Sequence, residues 1–226
     1  MGVRGLITYI RNHLQEVCCQ VNLQCQENVI IVVDGNAFAY WLYFKNILHW
    51  VCDYVKIHNS LIRVLSEFHA AGIILVFVFD GPTDISKLRT KLARQYRHAM
   101  VCARWPSVTD VVYPPPLIIQ CIINVLSGFY VSESVPWGHV CVFSRSEADS
   151  DLIAVAVQQG ACGILSNDSD MLVHTSREDI GLIPFWMLSC DDGICASIIT
   201  KASLSRSLGI ASEVTELVSQ FIPPCK

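Results

Sequence analysis

Ile73-Ile74-Leu75-Val76-Phe77-Val78-Phe79-Asp80-Gly81 holds seven apolar residues, mostly β-branched or aromatic, and stops at an acid. A short run with no polar alternation reads as a strand buried on both faces. Three more runs share this character: Val29–Val33, His139–Phe143 and Cys162–Leu165. Between and around them, Ala37–Leu48, Tyr54–His69, Ser86–Cys102, Leu117–Leu126 and Glu147–Gln159 have helical spacing. Buried strands alternating with helices predict an α/β fold, a mostly parallel twisted sheet with helices on both faces. The best delimited helix is Glu147–Gln159, with Ser146 as cap, Asp149 three residues on, and Gly160 as stop. Prolines at 114–116 break the chain, Asp191–Gly193 marks a turn, and after Ile194 the pattern reads as helical and more polar.

The composition supports a large core. Of 226 residues, 52% are hydrophobic and 16% charged. No apolar run is long enough to span a membrane, since the runs at Val33 and Phe79 both end at an aspartate. The N-terminus lacks the apolar region of a secretory signal, and Leu6 occupies the place where a myristoylation motif needs Ser or Thr. The 11 cysteines are scattered without a C-x-x-C pair, so they read as small buried hydrophobes and not as a zinc site.

The acids fall in a pattern. Asp34 follows the first buried run, Asp80 the second, and Asp168 and Asp170 the fourth, while Glu147, Asp149 and Asp151 open the helix after the third. In an open parallel sheet, ligands bind beyond the carboxyl ends of the strands. Each cluster has a structural alternative. Asp34-Gly35 and Asp80-Gly81 also suit turns, the helix acids complement the helix dipole, and Asn167–Asp170 suits a polar loop. One site accounts for all four at once. Crowded carboxylates need a counter-charge, and an all-oxygen set suits Mg2+ or Mn2+. Two such ions can activate a water and stabilise a leaving oxygen of a phosphodiester. Spacing leaves the choice between Asp149 and Asp151 open, because residues two apart do not share a helix face.

Net charge is −4, which argues against a strong general polyanion binder. Six basic residues (Lys87, Arg89, Lys91, Arg94, Arg97 and Arg104) nevertheless lie between Ile85 and Thr109, with no Asp or Glu among them. Lys87, Lys91, Arg94 and His98 recur at helical spacing, and Ile85, Leu88, Leu92 and Ala99 mark the other face. A cationic face without acids, starting just after Asp80, suits phosphate contact.

These residues resemble a known family. Met1-Gly2-Val3-Arg4-Gly5-Leu6 resembles the M-G-I/V-x-G-L opening of the XPG/flap endonuclease family. Val32-Val33-Asp34-Gly35, Phe79-Asp80-Gly81, Glu147-Ala148-Asp149 and Asp168-Ser169-Asp170 resemble its metal-binding motifs in order. Phe143–Asp149 and Asp80–Ser86 are most like the asteroid branch. The resemblance implies a PIN-like fold and metal ligands at Asp34, Asp80, Glu147, Asp149, Asp168 and Asp170, preferring Asp149 to Asp151. It implies that Lys87 and Arg94 act on the scissile phosphate and that Gly2 lies near the junction of branched or overhanging DNA, which the cationic face would also contact through Arg89, Lys91 and Arg97. Nuclear localisation follows from it as well. Residues 1–200 would form the nuclease domain, and 201–226 the truncated start of a helical region. Leu204–Ile222 approaches the family's G-S/N-D-Y/H motif, but Pro223-Pro224-Cys225-Lys226 stands in its place. The expected function is a Mg2+-dependent, structure-selective DNA nuclease of DNA repair. The alternatives are a nuclease-fold adaptor with protein partners on an apolar surface, and a PIN-type single-strand ribonuclease.

Overall fold

The run Ile73–Phe79 is a strand in the computed structural model, and six of its seven side chains are buried. The described residues are 5–22, 29–46, 53–83, 85–103, 117–128, 140–145, 148–174, 180–190 and 194–209. The first half runs α1 (Leu6–Asn12), α2 (Leu14–Val17), β1 (Cys18–Asn22), β2 (Val29–Asp34), α3 (Gly35–Asn46), α4 (Tyr54–Ala70), β3 (Ile73–Phe79) and α5 (Ile85–Ala103). There follow α6 (Ile118–Leu126), β4 (Val140–Phe143), α7 (Ala148–Gln159), β5 (Gly163–Leu165), α8 (Asp170–His174) and β6 (Gly181–Ile183). A 3-10 turn (Phe185–Met187), β7 (Leu188–Ser189), β8 (Cys195–Ile199) and α9 (Lys201–Leu208) complete the order.

The strands lie in the order β1-β8-β6-β5-β2-β3-β4, with β7 paired to β8 off this path. From β6 to β4 all neighbours are parallel. The β8 strand is antiparallel to β1, β6 and β7. Alternate side chains of a strand point to opposite faces. Ile73, Leu75, Phe77 and Phe79 therefore pack into one core with α3, α4 and α6, while Val76 and Val78 enter a second with α1, α7 and α8. Each such side chain contributes about 1.5–3 kcal/mol when fully buried. Helices thus cover both faces, as expected for an α/β sheet of this pattern.

The α4 helix shows why local sequence suffices for some elements. Asp53 caps it by accepting from the Lys56 N–H at 3.0 Å. Ile57, Leu61, Val64, Leu65 and Phe68 then fall on one buried stripe. Gly72 turns the chain into β3 with φ of 73°, a backbone state that favours glycine.

Three differences from the sequence expectation stand out. The segment after Ile194 is strand β8, not helix, and α9 begins only at Lys201, capped by Thr200 in a reciprocal bond with Ser203. Cys18–Asn22 and Gly181–Ile183 are strands that the apolar pattern does not announce, being short and part polar or containing glycine. The apolar side of α5 is not packed. Ile85 is 88% and Tyr96 67% exposed. No described helix is long and apolar enough to cross a membrane. Cys121, Cys141 and Cys162 are half-buried thiols whose ionisation burial pushes up.

Register places the carboxyl ends of four strands together. Asp34 lies beside Val78, Val33 beside Leu165, and Phe79 beside Phe143. The acids that follow these strands emerge at one edge.

Candidate functional site

Asp34 ends β2, where α3 begins without a break. One carboxylate oxygen accepts from the Ala37 N–H at 2.9 Å, closing the first turn of α3. The other accepts from Ser166 Oγ at 3.0 Å, across to the end of β5. Burial is the main influence on this group and raises its pKa. The two hydrogen bonds oppose that shift, and the charges of Asp80 and Asp168 add to it.

Asp80 follows β3 and joins three elements. Its oxygens accept from Asn36 Nδ2 on α3 and from the Ala148 N–H that opens α7, the latter at 2.9 Å. Both Asp-Gly pairs owe their glycine to close packing, not to a turn. A Cβ on Gly35 would lie 2.5 Å from the Phe79 ring. One on Gly81 would lie 1.9 Å from the Ser144 carbonyl oxygen. Neither glycine has positive φ. The turn alternative for these dipeptides is therefore corrected: both are places where the chain passes tightly against a neighbour beside an acid.

The loop after β5 continues the network. Ser166 Oγ accepts from the Asp168 N–H at 3.1 Å, and Asp168 Oδ1 accepts from the Asp170 N–H at 3.1 Å. Asn167 Oδ1 accepts from the Phe185 N–H at 3.1 Å, anchoring the loop to the 3-10 turn. Asp170 is buried, Asp168 half-buried, and Asp80 exposed. Between the two loop aspartates, Ser169 Oγ is buried without a hydrogen bond among the described residues. Asp149 is exposed and follows Ala148, whose N–H holds Asp80, while Asp151 lies half-buried one half-turn further along α7. Glu147, Ser146 and Gly2 lie outside the described residues.

The structure thus brings Asp34, Asp80 and Asp168 within electrostatic reach, with Asp170 tied in by hydrogen bonds. It does not pack them tightly. Among the described residues, no three Asp, Glu, His or Cys side chains form a ready-made metal cluster. Sequence reasoning missed Asn36 and Ser166, which hold Asp80 and Asp34. The available signal was a polar residue adjoining each apolar run: Asn36 ahead of Ala37–Leu48, and Ser166 directly after Cys162–Leu165.

On α5, Arg89, Lys91, Arg94 and Arg97 are exposed and Lys87 is half-buried. Lys91 Nζ donates to Thr83 Oγ1, tying the helix back to the loop after Asp80. Arg97 Nε donates to the Ala93 carbonyl at 3.3 Å. Arg104 and the side chain of His98 lie outside the described residues.

Comparison with known proteins gives the same picture. Residues 114–219 match the model of a family described as XPG domain containing. A human protein named single-strand DNA endonuclease ASTE1 is 31% identical over 178 residues, 76% of this chain and 24% of that protein. The human constitutive coactivator of peroxisome proliferator-activated receptor gamma is 22% identical over 93% of this chain and 24% of its own length. The catalytic core of Rad2 in complex with DNA substrate superposes with a TM-score of 0.61 at 18% identity, covering 94% of this chain and 59% of that one. The chain therefore spans about a quarter of the length of these curated relatives. Its fold is that of the Rad2 core, the PIN-like α/β sheet expected from the sequence.

Proposed function

The chain belongs to the XPG family, and from that premise we propose that it hydrolyses phosphodiesters in branched or overhanging DNA with the help of divalent metal ions. The observation that carries this reading is the register that brings Asp34, Asp80 and Asp168 to the adjacent carboxyl ends of β2, β3 and β5, where half-buried Asp34 meets two like charges. A cation would relieve that repulsion. The all-oxygen donor set fits Mg2+ or Mn2+. Mg2+ commonly takes one or two carboxylates directly and completes its shell with waters and phosphate oxygens, so a tight protein cage is not required. Asp34, Asp80, Asp168 and Asp170, with Asp149 and Glu147, are the residues that would hold two ions. When bound, the ions supply the charge that activates water and stabilises the leaving oxygen.

The chain's own residues do the positioning. Asn36 and the Ala148 N–H fix Asp80, while Ser166 and the Ala37 N–H fix Asp34. Lys87 and Arg94 stabilise charge on the phosphate. Arg89, Lys91 and Arg97 neutralise the approaching strand. By its family we place the protein in the nucleus and in DNA repair. The name of the human single-strand DNA endonuclease supports DNA over RNA as substrate.

The test is cleavage of end-labelled flap, overhang and single-stranded DNA, with a matching RNA, in Mg2+ and in EDTA. The reading expects Mg2+-dependent DNA cleavage that Asp80→Ala abolishes. Equal cleavage by wild type and Asp80→Ala contradicts it, and cleavage of RNA alone favours the ribonuclease. A second reading, a nuclease-fold adaptor, draws support from the coactivator's similarity over 93% of the chain. It expects neither cleavage nor metal binding.

A further inference from the structure

Phe143 closes the edge strand β4, and its side chain is 56% exposed. The next residue, Ser144, donates its N–H to the Phe79 carbonyl at 2.9 Å, so Phe143 sits alongside the residue that precedes Asp80. Its ring is the outer member of a series. Phe79 and Phe143 are stacked with centroids 6.0 Å apart and planes 30° apart. Phe77 and Phe79 are stacked at 6.4 Å and 17°. Phe38 meets Phe77 edge-on at 5.1 Å. Phe38, Phe77 and Phe79 are all buried, so the rings run outward from the core and finish in one open ring. Packing against Phe79 orients that ring, and the side chain has no polar tip to occupy in water.

Asp80 directly follows Phe79, the strand partner of Phe143, and its carboxylate is held by Asn36 and the Ala148 N–H. Asp80 and Phe143 therefore lie at the same sheet edge. A nucleic-acid strand crossing that edge presents a phosphate to one and a base to the other. Arg145, exposed two residues beyond Phe143, adds positive charge there.

Resting on the reading of this edge as a phosphodiester site, we infer that Phe143 is a stacking platform for an unpaired nucleobase of a strand that crosses the edge beside Asp80. Every base has a π-face, so the grip is indifferent to sequence. A base in a duplex is already stacked on both sides, so the platform favours an unpaired one. It gives the site a preference for single-stranded nucleotides that the carboxylates alone do not supply.

The experiment is a fluorescence titration of the full chain with short single-stranded DNA in EDTA, where no cleavage occurs. A 2-aminopurine probe is placed at each position in turn. The wild type quenches the probe at one or two positions. Phe143→Ala weakens binding by about 5- to 150-fold and abolishes the quenching. Phe143→Trp retains both, whereas Phe143→Leu, which keeps an apolar body over Phe79, behaves like the alanine variant. Unchanged melting temperatures for the leucine and tryptophan variants separate stacking from folding. Equal binding and quenching by wild type and Phe143→Leu overturns the platform, as does absence of quenching by the wild type at every position. A Mg2+ cleavage assay reads the parent proposal apart from this one. Quenching without cleavage removes the nuclease and leaves the platform. Cleavage with KM unchanged in Phe143→Leu removes the platform and leaves the nuclease.

Discussion

Asp34 is a carboxylate that its surroundings hold above the ordinary range. Burial lifts its carboxyl above the ordinary 3.8, and neighbouring Asp80 and Asp168 push the same way. A raised carboxyl pKa means that the folded state binds the proton more tightly than the unfolded state. This group's contribution is therefore most favourable below the ordinary value, and is lost as pH rises from there through the raised one. In EDTA, Asp34→Asn is expected to raise the melting temperature at neutral pH, with the gain shrinking as the pH falls through the raised value towards the ordinary one. Thermal denaturation across pH measures this, and a lower melting temperature at neutral pH would contradict it. The same substitution is expected to weaken metal binding, the usual opposition between stability and a working site. Gly81 shows a different constraint at this scale. With the Ser144 carbonyl pressed against its Cα, no side chain fits without moving the backbone that carries Asp80.

At the scale of elements, α5 stands apart from the other long helices. Every side chain described from Ile85 to Met100 is exposed except that of Lys87, so its charges contribute little to the fold. Replacing Arg89, Lys91, Arg94 and Arg97 with Gln is expected to leave the melting temperature nearly unchanged. It should flatten the dependence of log affinity on log salt by about 0.7 for each single-strand phosphate that is no longer neutralised. An unaltered salt slope would show that α5 does not meet the backbone of the nucleic acid. Elements with a strong local period were legible in the sequence. Ile73–Phe79 and Val29–Val33 are long enough to show burial on both faces, and α4 carries a cap and a complete apolar stripe. The strands of two to five residues on the β8 side of the sheet were not, because a period of two is not resolved in Gly181–Ile183 or Leu188–Ser189. Cys195–Ile199 resembles the polar helix that follows it until its pairing with β1 is known.

For the whole molecule, the parallel register turns scattered acids into neighbours. Asp34, Asp80 and Asp168 are 134 positions apart end to end, yet β2, β3 and β5 deliver them to one edge. That convergence was readable once the strands were assigned, since ligand sites of open parallel sheets lie at that edge. The side chains that set the acids in place were not readable. Asn36 meets Asp80 across 44 positions and Ser166 meets Asp34 across 132, pairings that only the folded chain creates. The central claim is that this edge holds divalent metal ions. Its most direct test is isothermal titration calorimetry of the chain with Mn2+ and Mg2+, wild type against Asp80→Ala. Saturable binding at millimolar concentration or below, abolished or strongly weakened in Asp80→Ala, is the predicted result. No binding by the wild type, or identical isotherms for the two proteins, would contradict the account.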